Sequence, residues 1–214
     1  GCGKSTLLKL IAGLLLPSSG SIYIDNKPVI GVSKGIGFLF QSDALLPWFT
    51  ALENVKIGSM LYGNNKIDAK KKAISLLDEV GLEMAKDKFP SELSGGMRKR
   101  VALARTLAFE PRAFLLDEPF SALDAQTRIN IGNRFLRSLE DAKQTVIFVT
   151  HDIEEAITLS DRVIVMTRAP GCVAAELSID IPRPRDYYTS RFHMNFKNYQ
   201  QKIWDVLKNE MEDK

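Results

Sequence analysis

Cysteine is scarce in this sequence, long apolar runs are missing, and neither sign of charge dominates; each shortage removes a class of function. The two cysteines, Cys2 and Cys172, lie far apart, so they offer no disulfide framework and no zinc-ligand spacing, and a reduced compartment is expected. No apolar run approaches the ~20 residues that span a bilayer, and no charged-then-apolar signal stretch opens the chain. The chain itself is therefore expected to be soluble and cytoplasmic. The net charge is only +3, from 29 Lys and Arg against 26 Asp and Glu, which makes no electrostatic case for nucleic acid. Internal repeats and low-complexity segments are also absent. What remains is 214 residues, 45% hydrophobic, enough for one substantial core with at most an inserted subdomain. The first residue is Gly1, in the middle of a motif, so the natural amino terminus is expected to be missing.

The richest stretch runs from Leu93 to Asp124, LSGGMRKRVALARTLAFEPRAFLLDEPFSALD. Ser94, Gly95 and Gly96 precede a helical run with Leu103 and Leu107 four apart. The start of that helix offers free N–H groups and the positive end of a dipole, and glycines let a phosphate come close. The helix is expected to stop near Glu110-Pro111. Ala113 to Leu116 then reads as a buried parallel strand ending in Asp117-Glu118. In an open α/β sheet, ligands bind at that carboxyl edge. Asp117 is placed there to hold Mg²⁺ through water, and Glu118 to accept a proton from, or orient, an attacking water. A lone Asp-Glu pair more often caps a turn, but the motifs on either side outweigh that reading.

Gly1-Cys2-Gly3-Lys4-Ser5-Thr6 is the back half of a G-x-x-x-x-G-K-[ST] phosphate loop leading into a helix that ends near Gly13. Gly3 lets the backbone approach phosphate oxygens, Lys4 puts a charge on the β- and γ-phosphates, Ser5 offers a hydroxyl to Mg²⁺, and Cys2 is read as a small filler. Two more strands end in polar residues. Ile36 to Phe40 delivers Gln41, which either reaches Mg²⁺ or the attacking water or satisfies a turn. Thr145 to Val149 delivers His151, suited to a γ-phosphate and to holding Glu118 and water in line. The segment Ser42 to Thr50 is unusually apolar for a loop; Trp48 and Phe49 either cover neighbouring helices or dock a partner.

The residues LSGGM, FLLDEP and SALD resemble the signature motif, Walker B strand and D-loop of ATP-binding cassette (ABC) ATPases, and the resemblance covers essentially the whole chain. Met97 stands where many members have Gln, which leans toward an importer subgroup. LLPW followed by ENV, and PRPRD in the tail, resemble the nitrate, sulfonate and taurine importer type. The resemblance implies an α/β fold: a P-loop NTPase (RecA-like) core over 1–50 and 110–214, with an antiparallel β portion and a helical subdomain over 51–109. It implies ATP bound by Gly1, Cys2, Gly3, Lys4, Ser5 and Thr6, and Mg²⁺ held by Ser5, Gln41 and Asp117. Glu118, His151 and Gln41 become the catalytic set, and Asp124 lies at the seam between two subunits. Ser94, Gly95 and Gly96 contact a nucleotide held by the second copy.

The implied partners are a second ATPase subunit, membrane permease subunits and, indirectly, a periplasmic or lipid-anchored solute-binding protein, with no nucleic acid. The implied location is the cytoplasmic face of the membrane. A soluble ABC ATPase acting on nucleic acid or a protein assembly is the alternative. Residues 1–214 by themselves are expected to bind ATP weakly and to be poorly active.

Elsewhere the expectations are structural. Ser21 to Asp25 reads as a strand with a turn at Asn26-Lys27-Pro28. Helices separated by Gly63 and Gly81 fill 51–109, with Lys70-Lys71-Lys72 taken as a solvated face rather than an anion site. Arg162 to Met166 completes the core, Cys172 to Ile181 forms an edge strand, and Tyr199, Ile203 and Leu207 mark a terminal helix. Arg183 and Arg185 are expected to be solvated, with anionic lipid as the alternative contact, and His193 has no role.

Overall fold

The structure, a computed structural model, describes residues 2–212 apart from 34, 62 and 143, and does not describe the side chains of 139–142 and 209–212. Three parallel strands form its centre in the order β3 (Ile36–Leu39), β4 (Ala113–Asp117) and β5 (Thr145–Val149). β4 lies between the other two, and its Phe114, Leu115 and Leu116 are all buried. A middle strand covered on both faces has no polar side to show, which explains the unbroken apolar run. Leu115 faces helix α1 (Lys4–Ile11), packing with Leu8 and Ala12. Phe114 and Leu116 point the other way, into a core with Leu39, Phe120, Phe135 and Leu136, as the two-residue period of a strand requires.

Between β3 and β4 the chain is helical: α2 (Ala51–Leu61), α3 (Lys66–Glu79) and α4 (Gly95–Ala108). Asn65 caps α3, its side chain accepting from the N–H groups of Ile67 and Asp68. α4 has two buried faces. Ala102 and Leu103 enter the core of the sheet, whereas Val101, Ala104 and Ala108 pack with Val55, Leu77 and Val80 of α2 and α3. Its alanines let the neighbours approach closely. Lys70 and Lys71 are exposed, but Lys72 departs from the expected solvated face: it is half-buried and pairs with Glu110. Burial lowers its pKa from the ordinary value.

The short antiparallel portion also departs from expectation. Among the described residues here, Tyr23–Ile24 (β1) pairs with Lys27–Pro28 (β2), in the register Tyr23 to Pro28 and Ile24 to Lys27. The turn falls at Asp25-Asn26, where both residues have positive φ, the pattern of a two-residue hairpin loop. Lys27 and Pro28, expected in the turn, are therefore strand.

After α5 (Ala125–Ala142) and β5 come α6 (Ile153–Leu159), the antiparallel pair β6 (Arg162–Met166) and β7 (Val173–Ser178), and α7 (Phe196–Glu212). Ile157, Val163, Val165, Ile179, Phe196 and Ile203 bury one another here. Among the described residues, no helix is long and apolar enough to cross a membrane.

Of the two arginines of PRPRD, Arg183 is exposed as expected, whereas Arg185 is not. Arg185 is buried and donates to the carbonyls of Ile179, Ile181 and Ser160 at 3.0, 2.9 and 2.7 Å. Arg183 reaches Asp161 and the Leu159 carbonyl. The carboxyl end of α6 has carbonyls with no helical partner and a negative dipole end; a guanidinium, with five donors in one plane, satisfies several at once. Arg185→Ala leaves those carbonyls buried without donors, so stability to chemical denaturation should fall by about 3 kcal/mol or more.

Candidate functional site

Three groups of polar residues gather at the carboxyl ends of the parallel strands and at two helix starts. At the first helix start, Gly3 caps α1 with φ +93°, a left-handed conformation that a side chain would strain. Lys4 donates to the Cys2 sulfur at 3.2 Å. Burial works against the Cys2 thiolate, but the Lys4 hydrogen bond and charge outweigh it and hold the thiol below its ordinary pKa. Cys2 is thus in contact with the lysine. Ser5 is half-buried and Thr6 exposed; Gly1 lies outside the described residues.

At the sheet edge, Glu118 follows β4 and His151 follows β5. Parallel pairing of Asp117 with Val149 brings the two strand ends level, and His151 Nδ1 lies 3.2 Å from Glu118 Oε1. Glu118 has φ +50°, uncommon for a residue with a side chain and worth about 1–3 kcal/mol of strain. Its N–H is held by the Val149 carbonyl at 2.9 Å, and its own carbonyl accepts from the Ser121 hydroxyl at 3.1 Å. Asp117 is buried at the end of β4, and Gln41 is exposed just past β3.

Lys99 joins these strand ends. It is 2% exposed, and its ammonium donates to the carbonyls of Phe40 and Gln41 at 2.9 Å each and to that of Asp117 at 3.5 Å. Burial lowers its pKa, opposed by the charges of Asp43, Asp117 and Glu118. Sequence reasoning missed it. The available signal was a lysine one helical turn before Leu103, on the stripe that faces the core.

The second helix start belongs to α4. Ser94 caps it, accepting from the Met97 N–H at 3.3 Å. A Cβ on Gly96 would stand 3.0 Å from the Ala122 carbonyl, so this start packs against the loop leading to Asp124. Asp124 is held by the Thr127 N–H at 3.0 Å, and hydrogen bonds from Thr127 lower its pKa. Among the described residues, no hydrogen bond or ion pair joins Ser94–Gly96 to Cys2–Thr6 of the same chain.

The apolar loop before α2 is pinned from beneath. Asn54 is buried, accepting from the Leu46 N–H and donating to the carbonyls of Leu46, Phe49 and Thr50. Arg98 pairs with Asp43 at 3.2 Å, and Arg105 donates to the Ala44 carbonyl at 2.9 Å. Trp48 stands 67% exposed above these bonds, so the loop backbone is tied down while its largest side chain faces outward.

The comparison with known sequences decides what this arrangement belongs to: the ABC transporter profile matches residues 1–121. The chain belongs to the ABC transporter family. It is 47% identical over 214 residues to an uncharacterized ABC transporter ATP-binding protein of Methanocaldococcus jannaschii, covering 99% of this chain and 78% of that one. It is 46% identical to the nitrate import ATP-binding protein NrtC of Synechococcus elongatus, covering 86% of this chain and 28% of that one. The taurine import ATP-binding protein TauB of Yersinia pestis is 45% identical over 84% of this chain and 71% of its own length. Among solved structures, the ATP-binding cassette MJ0796, as a post-hydrolysis dimer bound to ADP and Pi, superposes with a TM-score of 0.76 at 34% identity, covering 85% of this chain and 82% of that one. The expected α/β P-loop NTPase fold is borne out, and the chain is an ATP-binding ABC ATPase.

Proposed function

We propose that two copies of this ABC ATPase pair head to tail, each ATP lying between Cys2–Thr6 of one copy and Ser94–Gly96 of the other. One observation carries the reading. The chain has two helix starts suited to phosphate but a single Glu118–His151 pair, and its second start is packed on its own Asp124 loop without a bond to its own phosphate loop. The similar cassette is a dimer bound to ADP and Pi, which supports pairing of two copies.

In this reading, Gly1, Cys2, Gly3 and Thr6 wrap the phosphates with backbone N–H groups, and Lys4 leaves the Cys2 sulfur for the β- and γ-phosphates. Ser5, Gln41 and Asp117 would hold Mg²⁺; hydroxyl, amide and carboxylate oxygens are the donors that ion takes, and it keeps waters besides. The ion supplies charge neutralisation at the phosphates. Lys99, by holding the carbonyls beside Gln41 and Asp117, fixes both strand ends. Glu118 orients the attacking water or takes its proton, and His151 holds Glu118 in place while donating to the terminal phosphoryl group.

Residues 51–109 form the helical subdomain of this reading, with 1–50 and 110–214 as core. The pinned Asp43–Phe49 loop and exposed Trp48 suit docking on a membrane permease at the cytoplasmic face. Pairing and release of the two copies then drive uptake of a nitrate-, sulfonate- or taurine-type solute delivered by a binding protein.

The test is pairing itself. The full-length Glu118→Gln protein should run as a dimer with ATP and Mg²⁺ and as a monomer without. Adding Ser94→Arg should abolish the dimer while each chain still binds nucleotide through Lys4. A double variant that still pairs on ATP would refute the split site.

A further inference from the structure

A buried network outside the residues assigned above ties the end of β5 to the C-terminal tail. Thr150, next to His151, donates its hydroxyl hydrogen to Glu155 Oε2 at 2.6 Å and accepts from the Asp152 N–H at 3.0 Å. Glu155 is 3% exposed, and its other oxygen accepts from the Tyr187 hydroxyl at 2.9 Å. Arg128, on α5, places its Nε 3.9 Å from that same oxygen. Its other nitrogens donate to Asp152 at 3.2 Å and to the Leu123 carbonyl at 3.1 Å, one residue before Asp124. The network therefore touches both His151 and Asp124 through their chain neighbours.

Tyr187 is delivered by a tail clamped onto α5. Its N–H donates to Asn133 Oδ1 at 2.6 Å, while the Asn133 amide donates to Asp186 at 2.7 Å. Its ring lies against Gly132, where a Cβ would stand 2.3 Å from a ring carbon, and meets Phe120 edge-on at 6.2 Å. Only glycine at 132 lets the ring pass this close, so the hydroxyl reaches Glu155 because α5 makes room for it. A buried carboxylate is costly unless hydrogen-bonded. Here its partners come from the strand end, from α5 and from the tail, and together they hold the backbone beside the histidine in one position.

We propose that Tyr187, acting through Glu155 and Thr150, is a positioning residue for His151, so that the seating of the C-terminal tail sets turnover without touching nucleotide. This rests on the reading of His151 as a site residue. Burial pushes the Tyr187 hydroxyl well above its ordinary pKa, so it remains a donor. Burial also raises the Glu155 pKa, opposed by the hydrogen bonds from Thr150 and Tyr187 and by Arg128, and reinforced by the charge of Asp152. Among the described residues, those are the charged and titratable groups that bear on it. Removing the Tyr187 bond, which favours the carboxylate, moves protonation of Glu155 to higher pH.

The experiment is steady-state ATP hydrolysis by the full-length dimer. Tyr187→Phe keeps the ring on Gly132 and removes one hydroxyl. We expect kcat to fall about tenfold, KM for ATP to stay within about twofold, and the acid limb of the kcat–pH profile to move to higher pH. Thr150→Val should repeat the loss from the other side of Glu155, and Thr150→Ser, which keeps the hydroxyl, should recover most of it; this pair decides the matter if Tyr187→Phe does not fold. His151→Ala separates the two readings. If it is inactive while Tyr187→Phe and Thr150→Val keep full kcat, the positioning role is overturned and His151 stands. If His151→Ala keeps full turnover, the assignment of His151 itself fails and takes the positioning role with it. Equal damage to KM and kcat in both variants would mark a general structural loss and also overturn the proposal.

Discussion

Glu118→Gln in the full-length protein should bind ATP and pair as the parent does, yet hydrolyse it at least about 10²-fold more slowly. The substitution keeps the shape of the side chain and an oxygen facing the His151 ring, 3.2 Å away in the parent, so the strand-end geometry is not the variable. What disappears is the capacity to take a proton and the full negative charge that aligns a water. The backbone of Glu118 is held left-handed by the Val149 and Ser121 contacts, and those bonds do not depend on the carboxylate. Single-turnover hydrolysis with nucleotide binding measured in parallel separates the two effects. Near-parental hydrolysis would remove Glu118 from the chemistry, and loss of binding would mean that its role is structural.

The legibility of this chain follows the density of chemical constraint along it. Where phosphate, metal and water must be handled, only a few residue types serve. The stretch from Leu93 to Asp124 therefore marks its helix, strand and carboxylates in the sequence itself, and α4, β4 and the Glu118–His151 contact stand where the spacing puts their elements. Residues whose partners lie elsewhere in the chain gave no such signal. Lys99 sits in a basic run with little to single it out, because the three carbonyls it serves belong to strand ends outside its own helix. Arg185 sits among prolines with no periodicity to mark it as buried, and the helix end it caps precedes it by an entire hairpin.

The same distinction explains the local misreadings. Asp25-Asn26 took the turn from Lys27-Pro28 because short polar side chains tolerate positive φ, whereas proline is confined to negative φ. Lys72 left the solvated face of α3 because Glu110, in the turn after α4, stands within reach. Asn54 looks like an ordinary surface amide in the sequence. Its burial appears only once the loop before α2 folds back over it and needs donors and an acceptor for its backbone.

His151→Ala should cost about 10²-fold or more in kcat with little change in the KM for ATP, and its combination with Glu118→Gln should be the more telling measurement. With Glu118 ionised, the nitrogen facing it, Nδ1, carries a hydrogen, because a carboxylate only accepts. Donation to a phosphoryl oxygen would then fall to Nε2, the ring nitrogen turned away from Glu118. In the proposed reading such a residue acts on the same water and the same phosphoryl group as Glu118. Residues that act as a unit are strongly non-additive: once either is removed, the other has nothing left to align. The double variant should therefore be no more than about threefold slower than the slower single variant. A multiplicative loss, on the order of 10⁴-fold, would instead assign the two residues to independent steps, and the 3.2 Å contact between them would be a matter of packing rather than of mechanism.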